Sequence, residues 1–207
     1  MRHGAAVGLR AIVRTQGASI GAAVDAEPSV RRTQNRLFVE DLALRICCVL
    51  ALDRFGDYAS ESVVAPVRET CCQVLGLLSR SMSRASVTQL IDAMARMQSR
   101  AQWHIRHASF LGQKYVLVAR KDMLEDLQHV LLPVITAGLQ DADDEVMAAA
   151  AETLTPICRC ILPPITFSCL QRFVERAHFV AATRPPVHPL PAGPYMRCHQ
   201  ASRRCGM

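Results

Sequence analysis

Nine cysteines, seven histidines and eighteen carboxylates give this 207-residue chain material for metal or nucleophilic chemistry, and their spacing decides whether they are used. Cys158-Arg159-Cys160 with Cys169 is the densest thiol group. Zinc modules need ligands spaced so that the chain folds around one ion, and a helix through this stretch would splay the three side chains. Cys198-His199 and Cys205 stand in a proline-rich stretch and offer adventitious metal binding at most. The adjacent pairs Cys47-Cys48 and Cys71-Cys72 sit in apolar helical segments, where cysteine serves as a small buried hydrophobe. His3 and His107 each follow an arginine, but neither has a recurring nucleophile and orienting group beside it, which a catalytic dyad requires. Asp141, Asp143, Asp144 and Glu145 form the densest acidic group; ahead of a helix they favour its N-terminus and keep it soluble. Neither HExxH, CxxC nor a glycine-rich phosphate loop occurs, and no cofactor or small-molecule substrate is expected.

The elements that carry these residues repeat. Arg2-His3-Gly4-Ala5-Ala6-Val7-Gly8 reappears as Arg106-His107-Ala108-Ser109-Phe110-Leu111-Gly112, with looser copies starting at Val67-Arg68 and Val146-Met147. Arg68, Arg106 and Met147 lie 38 and 41 residues apart, and a small residue follows Arg2 and each of these three in register: Ala5, Cys71, Ser109, Ala150. A period near 40 marks HEAT or armadillo arrays, in which stacked helix pairs share one continuous core. The expected fold is therefore an all-α solenoid of HEAT/armadillo-like helix pairs, with a disordered Pro/Arg-rich C-terminal tail. Small residues at the register let neighbouring helices approach closely.

The organisation follows. Residues 1–16 read as the second helix of a truncated repeat, 17–34 as a flexible loop, and 35–162 as about three repeats. Residues 163–182 can form an extra helix, and 183–207 a disordered tail. In the first helix of the complete repeats, Leu37, Leu42, Leu44, Ile46, Val49 and Leu50 make the apolar stripe. Asp53 to Asp57, Gln98 to Arg100 and Gly138 to Asp144 supply turn chemistry.

Bulk composition agrees. Half the residues are hydrophobic, enough for a core, and no apolar run approaches a membrane span, so no membrane association is expected. The net charge of +6 resides in the tail: through Pro164 there are 18 Lys/Arg against 17 Asp/Glu, and beyond it six Arg against Glu175 alone. That distribution argues against a basic face on the folded part. The acid-free, Arg-bearing stretch from Met1 to Val24 resembles a transit peptide in composition, but it shares a register with an internal helix, which favours the repeat reading.

One stretch is more specific than a repeat. Leu50-Ala51-Leu52-Asp53-Arg54-Phe55-Gly56-Asp57, running into Val63-Val64-Ala65-Pro66-Val67-Arg68-Glu69-Thr70-Cys71, resembles the amino-terminal HEAT region of the TATA-binding-protein-associated factors of the SWI/SNF-like ATPase class. Trp103-His104-Ile105-Arg106-His107 and Leu139-Gln140-Asp141 follow in the same order, so the likeness covers about residues 1 to 160. The resemblance implies a nuclear, non-catalytic scaffold that binds the TATA-binding protein. In the full-length family an ATPase motor displaces that protein from DNA, so DNA would be met only indirectly. An unrelated α-solenoid adaptor, of transport or phosphatase-scaffold type, is the alternative. The candidate contact residues lie at turns: Asp53, Arg54, Asp57, Gln102, Trp103, Asp141, Asp143 and Asp144. Two departures stand out: Met147 holds a position where the family has arginine, and after Leu162 the sequence leaves the family pattern. Met1 falls inside a repeat, so the chain reads as a fragment with an uncovered face that favours self-association.

Overall fold

A computed structural model of the chain describes residues 2–52 and 61–156. These form α1 (Arg2–Gln16), α2 (Pro28–Leu52), α3 (Glu61–Ser79), α4 (Arg84–Met97), α5 (Trp103–Ala119), α6 (Leu124–Gly138) and α7 (Asp144–Leu154), with a 3₁₀ turn at Lys121–Met123. No strand occurs among the described residues. Successive pairs α2–α3, α4–α5 and α6–α7 are stacked so that α1, α3, α5 and α7 lie side by side in one layer and α2, α4 and α6 in the other. This is the expected α-solenoid.

The core runs between the layers. Val87, Leu90, Ile91 and Met94 recur at three- and four-residue steps and give α4 one buried face. Leu75 and Leu78 of α3, Phe110 and Leu117 of α5, and Leu127, Leu131 and Ile135 of α6 belong to the same core, all essentially inaccessible to solvent. Each such side chain contributes roughly 1.5–3 kcal/mol of transfer free energy. Ser83 caps α4 by accepting from the Ser86 amide, and Asp143 caps α7 by accepting from the Glu145 and Val146 amides.

Three expectations need correction. Helix α2 begins at Pro28, inside the segment read as a loop, because proline suits a first helical position and the Glu27 carboxylate accepts from both the amide and the hydroxyl of Ser29. The remaining connection is tied down: the buried Asn35 amide donates to the carbonyls of Gly17 (3.0 Å) and Ile20 (2.8 Å). Gly21 turns there with φ +75°, packed against the Phe38 ring. Second, α2 buries Val39, Ala43, Ile46, Cys47 and Leu50, whereas Leu37 and Leu44 are exposed. Ile46 and Leu50 of the expected stripe lie on this buried face, whereas Leu37, Leu44 and Val49 lie off it and find no covering neighbour among the described residues. Third, Cys48, expected to be buried with its neighbour, is exposed, while Cys47, Cys71 and Cys72 are buried. Gly138 is the last residue of α6, where the turn chemistry was expected to begin, and the Phe110 ring occupies the space a β-carbon would need.

Close approach is general in the α1/α3/α5/α7 layer. A β-carbon on Gly76 of α3 would lie 2.7 Å from the Tyr115 carbonyl oxygen of α5, a backbone atom that cannot step aside. Ser109 and Ala150 of the repeat register are fully buried, and Ser109 spends its hydroxyl on the Met94 carbonyl (2.7 Å). The register does not hold throughout: Ala5 is exposed, and α1 buries Ala6 and Val13 instead.

Gly76→Ala is expected to lower stability by about 1–3 kcal/mol through overpacking. Gly8→Ala, with open space around its β-carbon, should be neutral or stabilising by up to about 1 kcal/mol through helix propensity. Urea unfolding followed by circular dichroism checks both; equal effects would mean that the α3–α5 crossing is looser than described.

Candidate functional site

The turn edge of the array is built by arginines at the start of the inner helices. Arg106, in the first turn of α5, donates from Nη1 to the carbonyls of Arg100 (3.0 Å) and Ala101 (2.7 Å), which belong to the turn before its own helix. Its Nε and Nη2 fork onto the two carboxylate oxygens of Asp141 in the next turn, both at 2.7 Å. Asp141 also accepts from the Asp143 amide (2.9 Å). The side chains of the pair are only 15% and 12% exposed, so this is a charge-assisted, largely desolvated contact rather than a surface ion pair. The guanidinium holds the Asp141 carboxyl below the usual carboxylate range.

One pair earlier, Arg68 stands in the same register on α3 and is buried. Its Nη1 donates to His107 Nδ1 of α5 (2.9 Å), and its guanidinium lies 5.8 Å from the centre of the Trp103 ring. Trp103 meets His104 and His107 edge to face, with ring centres 6.0 and 6.3 Å away. Burial, then the Arg68 charge, pushes the His107 imidazole down to about 4. It is therefore neutral at pH 7, with Nδ1 accepting and the proton on Nε2. This environment holds a histidine in place; it does not prepare a base. One pair later, Met147 takes the register position on α7 and is simply buried.

The structure brings Arg106, Asp141 and Asp143 of the candidate edge together and leaves the others with different tasks. Asp141 and Asp143 spend their carboxylates on the turn and on the α7 cap. Trp103 is half-buried against α3. Gln102 and Asp144 face solvent and are free to meet a partner. Asp53, Arg54 and Asp57 lie outside the described residues, as do Cys158, Cys160, Cys169, Cys198, His199 and Cys205. Among the described residues no group of three His, Cys, Asp or Glu side chains is placed to hold a metal ion, and no helix is long and apolar enough to cross a membrane.

Sequence reading passed over the opposite edge. Arg120, which ends α5, donates from Nη1 to the carbonyls of Ser79 and Met82 beyond α3, both at 3.0 Å, and forks onto Asp122. Arg84 of α4 reaches Asp122 and Asp126. The 36-residue interval between Arg84 and Arg120 is near the repeat length, but single charges outside the repeated motif gave no signal.

Two substitutions test this edge. Asp141→Ala strands the Arg106 fork in a nearly closed site and should cost about 2–4 kcal/mol in chemical denaturation. For His107 the unfolded chain takes up a proton below pH 6.5 while the folded imidazole does not until about pH 4. Stability should therefore fall as pH drops across that window, with a slope of up to about 1.4 kcal/mol per pH unit. In His107→Gln the slope should flatten; an unchanged slope would place the titration elsewhere.

Comparison with known proteins matches this architecture. A HEAT repeat family model covers residues 131–161, which include α7 and the end of α6. Human TATA-binding protein-associated factor 172 is 42% identical over 162 residues, which is 78% of this chain and 9% of that protein. The Arabidopsis thaliana TATA-binding protein-associated factor BTAF1 is 46% identical over 129 residues, 62% of this chain and 6% of that protein. The Saccharomyces cerevisiae factor MOT1 is 32% identical over 168 residues, 76% of this chain and 9% of that protein. The chain thus spans less than a tenth of the length of these relatives. An adaptor unrelated to them is no longer a competing reading. Over most of its length the chain is a HEAT-repeat homologue of the TATA-binding protein-associated factors.

Proposed function

We infer that this chain is a non-catalytic HEAT-repeat scaffold segment that binds the TATA-binding protein in the nucleus. It would belong to a regulator of transcription whose full-length form removes that protein from DNA at the expense of ATP. The observation that carries this reading is the 42% identity across 78% of the chain to a protein named for association with the TATA-binding protein. The described geometry supports a binding role: stacked helix pairs, with one turn held to the next by the Arg106–Asp141 fork, offer an extended edge. Rigid edges bind with little ordering cost, which favours recognition of a folded partner.

Of the candidate contacts on this edge Gln102, Trp103 and Asp144 keep accessible surface, while Asp141 and Asp143 set the turn that presents Asp144. Asp53, Arg54 and Asp57, outside the described residues, join the proposal from the sequence alone. Exposed carboxylates at the turn suit a basic patch on the partner, so binding should weaken with salt.

Purified TATA-binding protein titrated onto the full chain, read by calorimetry at two salt concentrations, tests the proposal. Saturable binding is expected, several-fold weaker in Asp144→Lys and weaker again at high salt. Absence of binding by a helical, folded chain would leave the scaffold reading without this partner.

A further inference from the structure

Near-neutral charge over the folded part hides a local concentration of cations. Arg10 and Arg14 of α1, one helical turn apart, and Arg80 just beyond α3 line a cleft of about 380 Å³ on the α1/α3/α5 layer. Its size lies within the roughly 300–1,000 Å³ of pockets that hold small ligands or a few side chains. Gly76 and Leu77 of α3 and Val118 and Ala119 of α5 add apolar surface, and Gln73 and Tyr115 add polar groups. The floor lies deep at Gly76, where α3 and α5 cross closely.

The charges are uncompensated. No carboxylate lines the cleft, and none of the three guanidinium groups takes part in an ion pair among the described residues. Arg10 is oriented by Gln73, to which its Nη1 donates. The nearby Glu69 accepts from the Tyr115 hydroxyl. Further along the same layer, Lys114 of α5 is neutralised by Glu152 of α7 (2.8 Å), so the excess is confined to the α1–α3 end.

We propose that this cleft is a docking site for an acidic peptide segment, its carboxylates on Arg10, Arg14 and Arg80 and an apolar side chain against Leu77 and Val118. Guanidinium groups match carboxylates as two-pronged donors, and the mixed polar and apolar walls fit a peptide. A nucleic-acid duplex is a poor fit. Duplex binders neutralise on the order of six to ten phosphates spread along a backbone, whereas three arginines here converge on one cleft between helices. The site lies on the helix face rather than the turn edge, so it is independent of the TATA-binding protein reading.

The test uses the full chain and a short fluorescein-labelled peptide of glutamates interrupted by leucines, read by fluorescence anisotropy. Saturable binding is expected, weakened at least about tenfold, or roughly 1.4 kcal/mol, by Arg14→Glu with Arg80→Glu. Both side chains are exposed, so the fold should survive; if circular dichroism shows lost helix, Arg14→Gln with Arg80→Gln carries the same comparison. Arg31→Glu with Arg36→Glu, exposed positions on α2, matches the charge change and should leave affinity within about twofold. The proposal is overturned if the peptide does not bind, or if the two charge-reversed pairs weaken it equally. Binding untouched by Arg14 and Arg80, as the basic C-terminal stretch would give, also overturns it. So does duplex DNA that displaces the peptide at lower concentration than the unlabelled peptide itself.

Discussion

Every helix leaves N–H groups without partners at its N-terminus and carbonyls at its C-terminus, and in a stack of helix pairs those ends crowd together at the two edges. Arg106 meets this constraint at one edge. A single planar guanidinium satisfies two carbonyls of its own turn and both oxygens of the next turn's aspartate. Arg120 does the equivalent at the other edge for the end of α3. The spacing and rotation of one pair against the next are thereby specified by directional bonds, which side-chain packing alone would leave looser. Where the arginine is replaced, as at Met147, the pair relies on burial.

The same constraint separates two surfaces. At the turn edge, polar groups are largely consumed by the architecture, and what remains accessible is a set of positioned side chains at regular intervals. On the α1/α3/α5/α7 face, small residues bring the helices close enough that long side chains must lean outward. Gly76 permits the close crossing of α3 and α5, and the arginines around it are left to share one cleft. Scaffold proteins with both kinds of surface can hold two partners of different chemistry at once.

Much of this was readable in the residues. The 38- and 41-residue intervals between Arg68, Arg106 and Met147 pointed to the helix-pair plan because the three positions fall on the second helix of successive pairs. Asp143 as a cap and Cys71, Ser109 and Ala150 as buried small residues followed from it. The start of α2 was missed because Glu27-Pro28-Ser29 signals a helix through one carboxylate and one proline, with no apolar stripe to support it. The exposed leucines of α2 misled because periodicity reports amphipathic order without saying which face finds a neighbour. The arginine cleft was invisible for a different reason. Arg14 and Arg80 are 66 residues apart, and an average over the sequence cancels them against acids that point elsewhere.

The adjacent thiols of α2 have a use of their own. Cys48 is open to solvent, while Cys47 is buried and its thiol pushed up to about 12. The thiolate is the nucleophile that attacks an alkylating reagent, so Cys48 marks the population of intact chains and Cys47 reacts only while α2 stands away from the stack. The ratio of doubly to singly modified peptide is thus a built-in clock for the opening of that helix, and it needs no engineered label.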